Sequence, residues 1–171
     1  FYGGLIGAAA SCLVYIRRNN LPLWKFTDAL APSVALGNVL GRIGCLMNGC
    51  CYGRETSVPW AIQFPRGHDT FPDHAAYPSH VHPTQIYDSL LSLGLYFGLA
   101  WLYRHRKFEG QVFASYLLCY AVTRSVVEVF RGDYPVRYFG GMTPAHLVSI
   151  AIFATGAVLY WKLSRNAVKV A

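Results

Sequence analysis

Five apolar stretches alternate with short basic or turn-rich ones along the chain: 3–16, about 28–51, 84–103, 111–130 and 138–161. A membrane-crossing helix needs about 20 mostly apolar residues. The first stretch, GGLIGAAASCLVYI, is shorter than that and the other four reach it. Between the second and third lies a polar segment, 52–83, with Pro59, Pro65, Pro72, Pro78 and Pro83 and with His68, His74, His80 and His82. Prolines at that density do not continue a helix. The pattern predicts an all-α, polytopic transmembrane helix bundle of about five spans. It forms one domain over 1–171, with 52–83 as an irregular, outward-facing segment inside it.

Composition strengthens the membrane reading. The 171 residues are 54% hydrophobic and 13% charged, with mean hydropathy +0.29; soluble domains carry about 25% charged residues. The net charge of +7 does not point to nucleic acid, because the basic residues flank apolar segments. Arg17, Arg18 and Lys25, then Arg104, Arg106 and Lys107, then Lys162, Arg165 and Lys169 all fall on one side if the spans alternate. On the other side Arg54, Arg66, Arg131 and Arg137 are offset by Glu55, Asp69, Asp73 and Asp133. The positive-inside rule makes the first side cytoplasmic. Gly37-x-x-x-Gly41 and Gly94-x-x-x-Gly98 are expected to allow close helix approach. The chain opens on Phe1 with no basic start or small-residue cleavage site, so a copy lacking an upstream region is expected.

Three arginines depart from the flanking pattern. Arg42 is the only charge in GNVLGRIGCLMNGCCYG, 37–53. A charge at mid-bilayer costs about 2.5–3.5 kcal/mol on insertion scales, so it faces a bundle interior or a wet cavity. Helical spacing puts Asn38, Arg42, Cys45 and Gly49 on one face. In YAVTRSVVEVFR, 120–131, Tyr120, Arg124, Glu128 and Arg131 share a face too, and Arg124 and Glu128 can pair at i, i+4. Three arginines and one carboxylate near one level would suit a phosphate, which guanidinium groups bind bidentately. The competing reading is an internal ion-pair network with the remaining arginines reaching toward headgroups.

Cys45, Cys50 and Cys51 cluster at the outer end of the second stretch, while Cys12 and Cys119 lie inside apolar segments. Histidines nearby make zinc conceivable, but the spacing matches no standard zinc signature. Small packing residues, or a disulfide in an oxidising compartment, fit the spacing better. No metal and no cofactor is assigned. His82-Pro83-Thr84-Gln85 opens the third stretch, where Thr84 and Gln85 are expected to cap free helix amides, with a substrate contact also open.

Together the motifs resemble the bacterial prolipoprotein diacylglyceryl transferases: YGGLIG (2–7), GNVLGRIGCLMNGCCYG (37–53), VPWAIQFP (58–65), HPTQIYDS (82–89) and YAVTRSVVEVFR (120–131), in order and over nearly the whole chain. The resemblance implies a multi-pass enzyme of the bacterial cytoplasmic (inner) membrane, active at the outer face, with about two further spans upstream. It implies transfer of the diacylglyceryl group of phosphatidylglycerol to the lipobox cysteine thiol of a prolipoprotein signal peptide, releasing glycerol 1-phosphate. The alternative is a diverged, non-catalytic phospholipid- or anion-handling protein.

By the same resemblance Arg42 and Arg124 serve the phosphate and leaving-group charge, and Glu128 positions Arg124. Tyr2 stands where the family's better-known form has a histidine proposed as general base. Gly3, Gly4, Asn38, Asn48, His82, Tyr120 and Arg131 are candidate substrate-binding positions. Many relatives carry asparagine at the place of Cys45 and an acidic residue at that of Cys50. The base stays open between Tyr2, another group such as His82, and activation by the positive field.

Overall fold

The computed structural model describes residues 2–64, 80–131 and 143–167, except for the side chains of Tyr2, Leu5 and Ile6. Among the described residues five helices follow one another: α1 (Tyr2–Arg18), α2 (Leu23–Met47), α3 (Thr84–Arg104), α4 (Gln111–Phe130) and α5 (Pro144–Arg165). They fall on the five apolar stretches. Among the described residues the only β pairing is three isolated bridges. Three helices, α2, α4 and α5, are long and apolar enough to cross a membrane, fewer than the five spans expected. α1 has only 17 residues. α3 has a polar beginning in Thr84, Gln85, Asp88, Ser89 and Ser92, which lowers its hydropathy.

α2 packs on α3 and α4, and α4 on α5, while α1 touches this body little. Ala31, Ala35, Leu99 and Val112 form the buried centre where α2, α3 and α4 meet. The surface is apolar: Leu40, Met47, Leu90, Phe97, Trp101 and Ile150 are all more than half exposed. Asp28, Gln85, Asp88, Gln111, Glu128 and Thr143 are buried instead. Apolar outside and polar inside is the distribution lipid selects, because lipid tails solvate leucine as well as a protein core does.

Among the described residues, side chains added at Gly37, Gly41, Gly94 or Gly98 would meet nothing within 4 Å, so these glycines close no contact between the described helices. Close approach occurs at Gly156, where a Cβ would stand 3.0 Å from Leu117 Cβ and 3.3 Å from the Ala114 carbonyl. Ser149 and Gly156 are the buried residues of α5, two turns apart on the face toward α4.

One end of the bundle is defined by Asp28. Its carboxylate, buried at the start of α2, accepts hydrogen bonds from the amides of Gly110 (2.8 Å) and Phe113 (2.9 Å) at the start of α4. Free amides at a helix start need such an acceptor, and Arg106 adds a weaker ion pair at 3.9 Å. Gly110 has φ +85°, and a Cβ there would press on Leu163 and Trp24. The starts of α2 and α4 and the end of α5 therefore meet, with Lys25, Arg106, Lys107, Lys162 and Arg165 at that end. The alternation of helix directions read from the basic residues holds.

A backbone clasp closes the opposite end. The Gly53 amide donates to His82 O (2.9 Å), the Arg54 amide to Phe130 O (2.9 Å), and Ile62 and Val81 exchange both backbone bonds. The Arg54 guanidinium also donates to the Val129 carbonyl. Gly53 lies so tightly in this clasp that a Cβ would come within 2.5 Å of His82 Cβ and 2.8 Å of Phe130 O. The described parts of 52–83 are irregular, as expected; residues 65–79, with His68 and His74, lie outside the described residues.

Candidate anion site at the clasped end

Arg42 lies five residues before the end of α2 and Arg124 six before the end of α4, about 7.5 and 9 Å along their axes at 1.5 Å per residue. The clasp ties Gly53 and Arg54, in the segment that follows α2, to His82 and to Phe130 at the end of α4, so both arginines lie in the clasped half of the bundle. Each is held by a buried carboxylate. Arg42 Nε lies 2.7 Å from Asp88 Oδ2, and Arg124 Nη1 lies 2.6 Å from Glu128 Oε2.

The Arg42 pair bridges two helices. Asn38 Nδ2 donates to Ser92 Oγ at 2.7 Å and to Asp88 Oδ1 at 3.4 Å. Ser92 Oγ donates to Asp88 Oδ1, also at 3.4 Å. Asn38 and Arg42 thus use the shared face expected of them, and they use it on α3. Asp88 was not among the candidate residues. Its signal was available, since it is the only charged residue in 84–103, and an intramembrane carboxylate needs a partner.

The Arg124 pair is completed by α5. Glu128, 4% exposed, receives Thr143 Oγ1–H on Oε1 at 2.7 Å. Thr143, which precedes α5, also contacts His146 Nδ1 through Oγ1 at 3.0 Å. Arg131 Nε approaches Glu128 Oε2 at 3.9 Å. Glu128 therefore holds two arginines and ties the end of α4 to the start of α5.

Counting Asp88 changes the charge balance. Arg42, Arg124 and Arg131 face two carboxylates, Asp88 and Glu128, not one. Among these five described residues the surplus is one positive charge, which still suits a singly charged phosphodiester.

Other candidates are placed differently. Tyr120 stacks on Tyr116 at 5.7 Å between centroids rather than joining the ion pair. Asn48 is the exposed C-cap residue of α2. Gly3 and Gly4 are exposed on α1, with nothing among the described residues within 4 Å of an added Cβ. Tyr2 begins α1, and its side chain lies outside the described residues. His82 is half-buried against the Phe130 ring at 5.5 Å, with Nδ1 3.2 Å from the Tyr87 hydroxyl; that hydroxyl also accepts from Trp60 Nε1 at 2.7 Å. Thr84 and Gln85 do not cap α3. They donate across to the carbonyls of Cys51 and Cys50, each at 2.8 Å. Those carbonyls follow the end of α2 and lack helical partners, which is why they draw these donors.

The cysteines converge. α2 ends in a glycine turn, with Gly49 at φ +67°. The Gly49 amide donates to Leu46 O (3.2 Å) and the Cys50 amide to Cys45 O (3.1 Å). These two bonds are the Schellman motif, and they fold Cys50 back over Cys45. Cys51, at φ +63°, turns its side chain the same way. The three sulfurs lie within 4.8 Å of one another, and all are free thiols.

These features define an α-helical membrane protein whose interior, near one end, carries paired guanidinium groups on buried carboxylates. The sequence matches the family described as prolipoprotein diacylglyceryl transferase over residues 1–162, and the chain belongs to that family. Among its relatives is the phosphatidylglycerol–prolipoprotein diacylglyceryl transferase of Clostridium tetani. It is 42% identical over 132 residues, which cover 77% of this chain and 51% of that protein. The proteins of the same name from Finegoldia magna and Sinorhizobium medicae are 34% and 35% identical, covering 98% and 96% of this chain but 62% and 57% of their own lengths. The chain thus spans about half to three-fifths of these relatives.

Proposed function

We propose that this chain carries the arginine-bearing part of an enzyme that moves the diacylglyceryl group of phosphatidylglycerol onto the lipobox cysteine of a prolipoprotein signal peptide. The observation that carries the reading is the pair Arg42 and Arg124, each on a buried carboxylate, in the clasped half of the bundle. Family membership and the relatives' names supply the substrate classes.

In this mechanism a thiolate attacks the glyceryl carbon bonded to the phosphate oxygen. The C–S bond forms, the C–O bond breaks, and the electron pair leaves on the phosphate. Negative charge grows on that phosphate from the diester monoanion toward the monoester dianion of glycerol 1-phosphate. Guanidinium groups fixed beforehand stabilise that growth without reorganising. Asp88 and Glu128 act as positioning residues that hold the two guanidiniums. The clasped end faces outward and the basic end inward, at the outer face of the bacterial inner membrane.

The test is mass spectrometry of a lipobox peptide incubated with the protein and phosphatidylglycerol. A thioether-linked diacylglyceryl peptide is expected, and Arg42→Ala or Arg124→Ala should lower its rate about 10²–10³-fold, the cost of losing one transition-state donor. Full activity in both folded variants overturns the reading. Phospholipid binding with no thioether product would instead assign the chain to lipid handling.

A further inference from the structure

We propose that Cys45, Cys50 and Cys51 form a three-thiolate site for one zinc-type divalent cation, whose fourth position takes the thiol of the acceptor peptide. The second half of this proposal rests on the transferase reading; the first half does not.

The geometry is the starting point. Zinc–sulfur bonds of about 2.3 Å place the sulfurs of a tetrahedral site about 3.8 Å apart. The three sulfurs here already lie within 4.8 Å of one another, so side-chain rotation closes the difference. The backbone that gathers them is built for it. The Schellman bonds bring Cys50 over Cys45, and Gly49 and Cys51 adopt positive φ. Thr84 and Gln85 hold the carbonyls of Cys51 and Cys50 from α3. The Cys50 thiol rests 3.7 Å from the Cys45 carbonyl.

A disulfide fits less well. Cys50 and Cys51 are adjacent in sequence and cannot bridge comfortably, and any other pair strands the third thiol. Among soft cations, charge favours a dication. Before the acceptor binds, three thiolates with a zinc-type ion carry one net negative charge, whereas a monovalent copper leaves two, and desolvating the larger charge in that resting site costs more at this half-buried position. Three protein ligands also leave a tetrahedral ion one open place, the arrangement of catalytic rather than structural zinc.

The location gives that open place a use. Cys45 is one helical turn beyond Arg42 on α2, on the side toward the clasp. The transfer needs a thiolate beside the phosphate site, and its base is unassigned. Coordination deprotonates a thiol outright and releases the proton to water. The sulfur then attacks the glyceryl carbon, the C–O bond breaks, and the electron pair goes to the phosphate at the arginines. The thioether formed is neutral and a weaker ligand than the thiolate, so it leaves the ion.

The test uses the whole chain in detergent micelles, with cobalt(II) and zinc(II) as probes. One equivalent of cobalt should bind with sulfur-to-metal charge-transfer bands and tetrahedral ligand-field bands, and zinc should displace it. X-ray absorption on the zinc form should show three sulfurs at about 2.3 Å. In the unmodified protein, zinc should protect three thiols from alkylation and leave Cys12 and Cys119 reactive once the micelle is opened, a readout independent of whether variants fold. Cys45→Ser, Cys50→Ser and Cys51→Ser should each weaken binding by more than the roughly 10–100-fold lost with an outer-sphere partner. A lipobox peptide with cysteine should shift the cobalt bands, and its serine counterpart should not.

No metal above the level of the triple serine variant, a monovalent-copper site that excludes zinc, or a stable disulfide overturns the proposal. So does a cobalt spectrum blind to the cysteine peptide, or a metal-stripped protein that transfers at full rate. Metal and peptide binding in a wild-type protein that makes no thioether would defeat the transferase reading and leave the site standing. In Arg42→Ala the cobalt spectrum should persist while transfer is lost.

Discussion

Asp88 is the residue that most changes the picture of the site. A guanidinium in a helical bundle is costly unless it is paired, and Asp88 supplies Arg42's pairing from a neighbouring helix at 2.7 Å. Asp88→Asn keeps the shape and removes the charge. Breaking a buried pair costs about 3–5 kcal/mol; the lower end is expected here, because the Arg42 side chain retains 17% exposure. Reversible unfolding in mixed micelles would measure it. Transfer should fall with it, even where the protein remains folded, because Arg42 would no longer be aimed. Wild-type transfer by folded Asp88→Asn would reduce the pair to a structural role. Arg42 and Arg124 were legible from sequence because charge inside an apolar stretch is conspicuous. Asp88 was equally conspicuous in composition but sat near a stretch's beginning, where polar residues pass as caps.

Among the elements, helix positions were readable and helix ends were not. Apolar runs located all five helices, although only α2, α4 and α5 combine the length and hydropathy that a membrane crossing demands. The apolar, glycine-rich run carries the second stretch on to residue 51, whereas α2 ends at Met47, because Asn48-Gly49 forms a turn that hydropathy does not register. That turn folds Cys50 back over Cys45. Glycine spacing misled in a related way: x-x-x-Gly patterns mark potential contact faces, but only packing decides which face is used. Gly156→Leu should therefore separate α5 from α4 and destabilise the protein by about 1–3 kcal/mol, as overpacking does, while Gly94→Leu should be near neutral. A thermal-shift comparison of the two checks this. Gly53→Ala should loosen the clasp, because its Cβ would collide with backbone at His82 and Phe130. Faster proteolysis within 52–64 and slower transfer are the expected outcomes.

For the whole molecule, the distribution of charge and polarity defines two unlike ends. Lys25, Arg106, Lys107, Lys162 and Arg165 gather where the starts of α2 and α4 meet the end of α5, and the clasp closes the other end. Cysteines introduced at Ser57 and Ser164, in a background lacking the native five, should report this in intact cells. A membrane-impermeant maleimide should label position 57 and spare position 164; the reverse would invert the proposed orientation.

The bond from Asp28 to the start of α4 has a consequence for synthesis. Its partner amide at Gly110 lies 82 residues later in the chain. At about 5–20 residues per second, a ribosome needs roughly 4–16 s to cover that distance. Until then the α2 carboxylate lacks its native donors, the amides of Gly110 and Phe113. Its final seating must wait for the fourth helix to emerge, so assembly of the bundle is timed by translation.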